Sequence, residues 1–178
     1  LEDVHINRVN MIDVTNTIAD VLGKDEITKY AINRILTACK MYEISKWDIE
    51  VSGGYYGEEI EGVYIENKNE LREWFDKLYK ATNDKEKILI ALECEYGYVL
   101  DELSNLNSWS IETINKAEIK IGQQDHYRKL ERNVVDGYRD YPYAKCVITY
   151  NNGKYKLIDG YHRLMASKDN DIKVIIGR

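Results

Sequence analysis

The chain has 178 residues, 44% of them hydrophobic, and a formal net charge of −6. That length holds one large domain, or one domain with a sizeable extension. No run of about 18 apolar residues occurs, so no membrane-spanning helix is expected; no basic-then-apolar segment opens the chain, so no secretory signal is expected either.

Residues 11–22 predict a short helix that stops at Gly23. Asp25 caps a stronger one, in which Ile27, Tyr30, Ala31, Ile35, Ala38 and Met41 recur at helical spacing. Alternation predicts strands over Trp47–Val51 and Ile60–Ile65, joined by the hairpin loop Ser52-Gly53-Gly54-Tyr55-Tyr56-Gly57. This loop is acidic on its far side, has no Lys and leads into a strand, which argues against a phosphate loop; its tyrosines would suit an interaction surface. Helices are expected from Asn67 or Asn69, with Leu71, Trp74, Phe75 and Leu78 on one face, and from Asp84 through Cys94. The polar turn Asn105-Leu106-Asn107-Ser108 sets a boundary between an acidic helical extension, 1–108, and a second unit, 109–178. Beyond it, Ile111–Ile121 reads as one or two strands and Asp125–Val135 as a helix. Cys146–Tyr150 and Lys154–Ile158 read as strands joined by a tight turn at Asn151-Asn152-Gly153. A helix over Tyr161–Ser167 and a strand over Lys173–Ile176 close the chain.

Charge divides at the same boundary. Residues 109–178 hold 13 Lys and Arg against 9 Asp and Glu, net +4, whereas residues 1–108 hold 12 against 22, net −10. A C-terminal unit for an anionic ligand, with an acidic Tyr-rich half available to a protein partner, fits this split. Nucleic acid is not an expected partner, because that affinity comes from clustered Lys and Arg. Cys39, Cys94 and Cys146 are distant and odd in number, as free thiols in a reducing cytoplasm would be. Their places in helical and strand patterns suit small buried residues better than nucleophiles. Fifteen Tyr and a single Pro, with many Asn, Lys and Ile, point to an AT-rich source such as a phage or a low-GC bacterium.

Asp159-Gly160-Tyr161-His162-Arg163 carries the chemistry. It stands between the strand Lys154–Ile158 and a short helix. A glycine there lets the backbone approach a ligand closely, the first amides of a helix favour an anion, and His162 and Arg163 add donors and positive charge. The pattern reads as a phosphate-binding corner. Asp159 is either a carboxylate that bridges Mg²⁺ to phosphate oxygens or a helix cap.

The stretch from Tyr143 to Ile176, with Asp159-Gly160-Tyr161-His162-Arg163 at its corner, resembles the ParB/sulfiredoxin-like superfamily. Sulfiredoxins carry Gly-Cys-His-Arg at this corner and partition proteins a Gly-x-x-Arg variant; the Asp-Gly-His-His-Arg of the free serine kinases is the most similar. The resemblance implies an α/β (α+β) fold that binds ATP or CTP with Mg²⁺, the phosphates resting on Gly160, Tyr161, His162 and Arg163. It also places a second phosphate-side element at residues 123–130, where His126 and Lys129 would complete the cradle.

Two departures narrow the expected activity. Tyr161 stands where sulfiredoxin has its reactive cysteine, so sulfinic acid reduction is not expected. No helix-turn-helix pattern follows the motif, so chromosome partition by the usual architecture is not expected. The resemblance then implies a phosphotransferase or NTPase. Asp159 would act at the metal, and Asp125 or Glu131 would serve as general base toward an acceptor hydroxyl; an N-cap for Asp125 and a solvated helix face for Glu131 are their structural alternatives. The competing reading is a phage or bacterial regulatory protein that blocks a partner. A ParB-like nuclease or DNA-binding protein stands third, with the acidic charge against it.

Overall fold

A computed structural model describes residues 8–39, 41–43, 58–60, 63–65, 68–122 and 145–178. The strand expected over Trp47–Val51, the loop 52–57 and the helix expected over Asp125–Val135 lie outside the described residues. The chain contains both helices and a mixed β-sheet, and it divides into two compact units. One comprises Leu1–Thr82 with Glu86–Tyr98, the other Asn83–Lys85 with Val99–Arg178.

The first unit is built on helices α1 (Arg8–Leu22), α2 (Glu26–Ala38), α3 (Lys68–Lys80) and α4 (Asp84–Tyr96). A three-stranded antiparallel sheet joins them: β1 (Met41–Glu43), β2 (Glu58–Ile60) and β3 (Val63–Ile65), in the order β1-β3-β2. The single strand expected over Ile60–Ile65 is thus divided between two strands, with Ile60 paired to Val63. Met41 opens β1 and does not extend α2, which stops at Ala38 with Cys39 as its C-cap.

Helix α2 is the centre of this unit. Ile27, Tyr30, Ala31 and Ile35 are buried as their spacing predicts, but so are Thr28, Ile32, Asn33 and Leu36. A helix buried on most of its circumference needs its polar groups partnered. Asp25 accepts hydrogen bonds from the Thr28 amide (3.1 Å) and the Thr28 hydroxyl (2.7 Å). Lys87 of α4 donates to Thr28 Oγ1 at 2.8 Å and lies 3.8 Å from the Asp25 carboxylate. Farther along, Arg34 pairs with Glu95 of α4 at 3.1 Å. The start and the middle of α2 are therefore both tied to α4 by charge.

The second unit is a five-stranded sheet in the order β4-β8-β6-β7-β5. Its strands are β4 (Trp109–Asn115), β5 (Ile119–Lys120), β6 (Cys146–Asn151), β7 (Lys154–Asp159) and β8 (Asp171–Gly177). Among the described residues two short α-helices accompany it, α5 (Asp101–Ser104) and α6 (Tyr161–Ala166), with a 3-10 turn at Lys116–Glu118. Pairs β4–β8 and β6–β7 are antiparallel; β6–β8 and β5–β7 are parallel. Strand β4 starts at Trp109, two residues before the expected start, because the Trp109 ring covers Gly177 and its Nε1 donates to the Leu106 carbonyl. The β6–β7 turn is Asn152-Gly153, both at positive φ, as a two-residue hairpin loop requires. Ile114, Ile119, Cys146, Ile148, Leu157, Leu164, Val174 and Ile176 form the core, which seats α6 against the sheet. No helix among the described residues is long and apolar enough to cross a membrane.

The Asp25 cap has a pH signature. Partial burial alone would raise its pKa, but the Thr28 hydrogen bonds and Lys87 outweigh that and hold it below the usual value. A depressed carboxylate stabilises the fold above its unfolded-state pKa, and that contribution is lost as pH falls through the folded value. Asp25→Ala is therefore expected to cost about 1 kcal/mol at neutral pH. In urea denaturation the gap between variant and wild type should close at a pH below the usual carboxylate range; an equal gap at both pH values would contradict this role.

Candidate functional site

Strand β7 runs outward from the hairpin with exposed Lys154 and Lys156 alternating against Tyr155 and Leu157 on the core side. It ends at Asp159, which is 5% exposed. Between Val147 and Ile148 the β6–β7 register shifts: Ile148 faces Leu157 and Val147 faces Asp159, so Ile158 is the extra residue. Such a bulge bends the strand just before the corner.

Gly160 then reverses the chain, with φ 99° and ψ 33°. This left-handed conformation costs any other residue steric energy. Space forbids a side chain as well: a Cβ would lie 2.9 Å from Cys146 Cα, 3.0 Å from the Lys145 carbonyl oxygen and 3.3 Å from Cys146 Sγ. The close approach expected of this glycine toward a ligand is thus made toward the backbone of β6. Gly160 also occupies the helix cap position considered for Asp159.

Helix α6 follows at once and has six residues, less than two turns. Tyr161, His162 and Arg163 form its first turn, all half-buried, and the Leu164 amide bonds to the Gly160 carbonyl at 2.8 Å. The Tyr161 and His162 rings meet edge to face with centroids 5.6 Å apart. So short a helix contributes little macrodipole, and an anion here would depend on local amides and on the charge of Arg163.

Cys146 is the residue that sequence reasoning left out of this corner. Its Sγ–H donates to the Gly160 carbonyl at 3.5 Å. Burial pushes its thiol up to about 12, with Arg163 pulling it down and Asp159 pushing it further up. Both charged residues thus act on Cys146 electrostatically, and the thiol is held neutral. In the first unit, a hydrogen bond between Cys39 and Cys94 lowers the pKa of Cys39 and raises that of Cys94. No pattern in the sequence places these two side by side.

The structure thus brings Asp159, Gly160, Tyr161, His162 and Arg163 together at one strand exit. The other site candidates, Asp125, His126, Lys129 and Glu131, lie outside the described residues. Among the described residues no group of three His, Cys, Asp or Glu side chains is placed to hold a metal ion. Mg²⁺ on a nucleotide needs only one or two protein carboxylates, and Asp159 is the one that the corner supplies. Comparison with protein-family models, curated proteins and solved structures gives no match.

The corner's geometry predicts a cost for any side chain at position 160. Gly160→Ala combines left-handed strain with overpacking against β6 and is expected to destabilise the fold by roughly 2–4 kcal/mol in chemical denaturation. The tightest contacts are backbone atoms, so adding Cys146→Ala should not restore stability. A loss below about 0.5 kcal/mol, the size of an ordinary surface change, would show that the corner opens freely.

Proposed function

We propose that the C-terminal unit binds a nucleotide, ATP or CTP with Mg²⁺, by its phosphates at the Asp159–Arg163 corner, and that the protein acts as a phosphotransferase or NTPase. The observation that carries this reading is the reversal at Gly160, which sets Tyr161, His162 and Arg163 in one turn at the exit of β7, just after the buried Asp159. Arg163 would meet phosphate oxygens as a bidentate fork. Asp159 would share the metal with them. The resemblance of this motif to the free serine kinases supports the same assignment, as does the net +4 of residues 109–178. Catalysis at such a site would rest on positioning and charge neutralisation, with a carboxylate orienting the acceptor; Asp125 and Glu131 are the candidates.

A second reading, a regulatory protein that occupies a partner, is favoured by one observation. Val21, Tyr79, Tyr96 and Tyr98 of the first unit are exposed, in a half of the chain with a net charge of −10. Nucleotide affinity without turnover would favour this reading over the enzyme.

A ligand that binds only the folded state raises its apparent stability. Thermal-shift titration of ATP, CTP, GTP and UTP with Mg²⁺ is expected to show stabilisation by ATP or CTP in the wild type. The shift should be abolished in Arg163→Ala and reduced in Arg163→Lys, which keeps the charge but not the fork. No shift with any nucleotide, or an undiminished shift in Arg163→Ala, would overturn the assignment.

A further inference from the structure

A second cationic feature lies across three strands of the C-terminal sheet. Lys120 of β5 stands beside Lys156 of β7 in parallel register, and Lys156 stands opposite Thr149 of β6. Lys154 stands opposite Asn151 at the hairpin end. These five side chains and Glu102 of α5 line a groove of about 340 Å³. Ile121 and Gly122, which follow β5, complete its wall.

Among the described residues the charge in this groove is not balanced. Lys156 lies 3.7 Å from the Glu102 carboxylate, and both side chains are more than half exposed, so that pair adds little stability. Among the described residues, Lys120 and Lys154 have no carboxylate partner. Like charges in register across neighbouring strands destabilise a sheet. Three lysines against one glutamate therefore leave a concave surface with an excess of two positive charges. A bound dianion relieves this repulsion.

The donor set suits a phosphate ester. Arg forks meet carboxylate and phosphate alike, and Lys binds phosphate as a point charge; among the described residues the groove is lined by lysines and no Arg. Thr149 and Asn151 each both donate and accept, which suits hydroxyl groups next to the phosphate. The volume is that of a small-molecule site and not of a macromolecular interface.

We propose that the groove across β5, β7 and β6 binds a small phosphate ester of a hydroxylated compound, with Lys120, Lys154 and Lys156 on the phosphate and Thr149 and Asn151 on the hydroxyl groups. This site precedes the Asp159–Arg163 corner along β7 and shares no residue with it.

Ribose 5-phosphate, ribose and sodium sulfate, titrated into the full chain by calorimetry, test the proposal. Ribose 5-phosphate should bind, more weakly as ionic strength rises. Ribose should not bind, and sulfate should bind less tightly than the ester. The double variant Lys120→Gln, Lys154→Gln should weaken ribose 5-phosphate about tenfold or more, and Glu102→Gln should tighten it by removing the competing carboxylate. Arg163→Ala should leave this affinity unchanged, which separates the groove from the nucleotide corner. No binding of ribose 5-phosphate, equal binding of ribose, or an unchanged affinity in the double variant would overturn the proposal. Because Glu102→Gln is expected to gain affinity, a failure of the lysine variants to fold would not shield it.

Discussion

The approach of Gly160 to the backbone of Cys146 is the contact on which the geometry of the C-terminal unit depends. A Cβ at this position would lie 2.9 Å from a Cα on the neighbouring strand. The chain leaves β7 through the left-handed region, which glycine enters without steric strain. The turn delivers Leu164 into the core among Cys146, Ile148 and Leu157. It also fixes Tyr161, His162 and Arg163 at the strand exit. The same residue that makes the corner a candidate phosphate site is therefore required by packing alone, and substitutions at Gly160 report on the fold before they report on binding.

Charge is used differently in the two units. In the first, it serves structure: Lys87 and Arg34 meet Asp25, Thr28 and Glu95 in pairs that fasten α4 to a helix buried on most of its surface. In the second, Lys120 and Lys154 of the groove have no carboxylate partner among the described residues. Arg178 is an exception, forming two hydrogen bonds to the Glu112 carboxylate at 2.8 and 2.9 Å from one nitrogen and lying over the Tyr150 ring. Paired charge there closes β4 against the chain end.

Local signals read from sequence were those with local causes. Asp25 as a cap, Asn152-Gly153 as a hairpin turn and Gly160 as a strand-to-helix joint each follow from the conformational needs of one or two residues, and the structure shows each of them. The apolar spacing of α2 was legible, but its end was not: Met41 keeps the helical period and still begins β1, because a C-cap at Cys39 stops the helix. What escaped the sequence was non-local. Cys146 lies 14 residues before Gly160, and nothing in either segment announces that they touch. Lys120 and Lys156 meet through a parallel pairing of a two-residue strand, too short to leave a pattern. The residues of the corner were legible, but the reason for the glycine was not.

The most direct test of the nucleotide assignment is to watch the backbone amides of the corner while nucleotide binds. In a ¹H–¹⁵N correlation titration of the full chain with ATP and Mg²⁺, then with CTP and Mg²⁺, the largest shifts should fall on Gly160, Tyr161, His162 and Arg163. Saturating shifts confined to Lys120, Lys154 and Lys156, or no change at Gly160–Arg163, would contradict it.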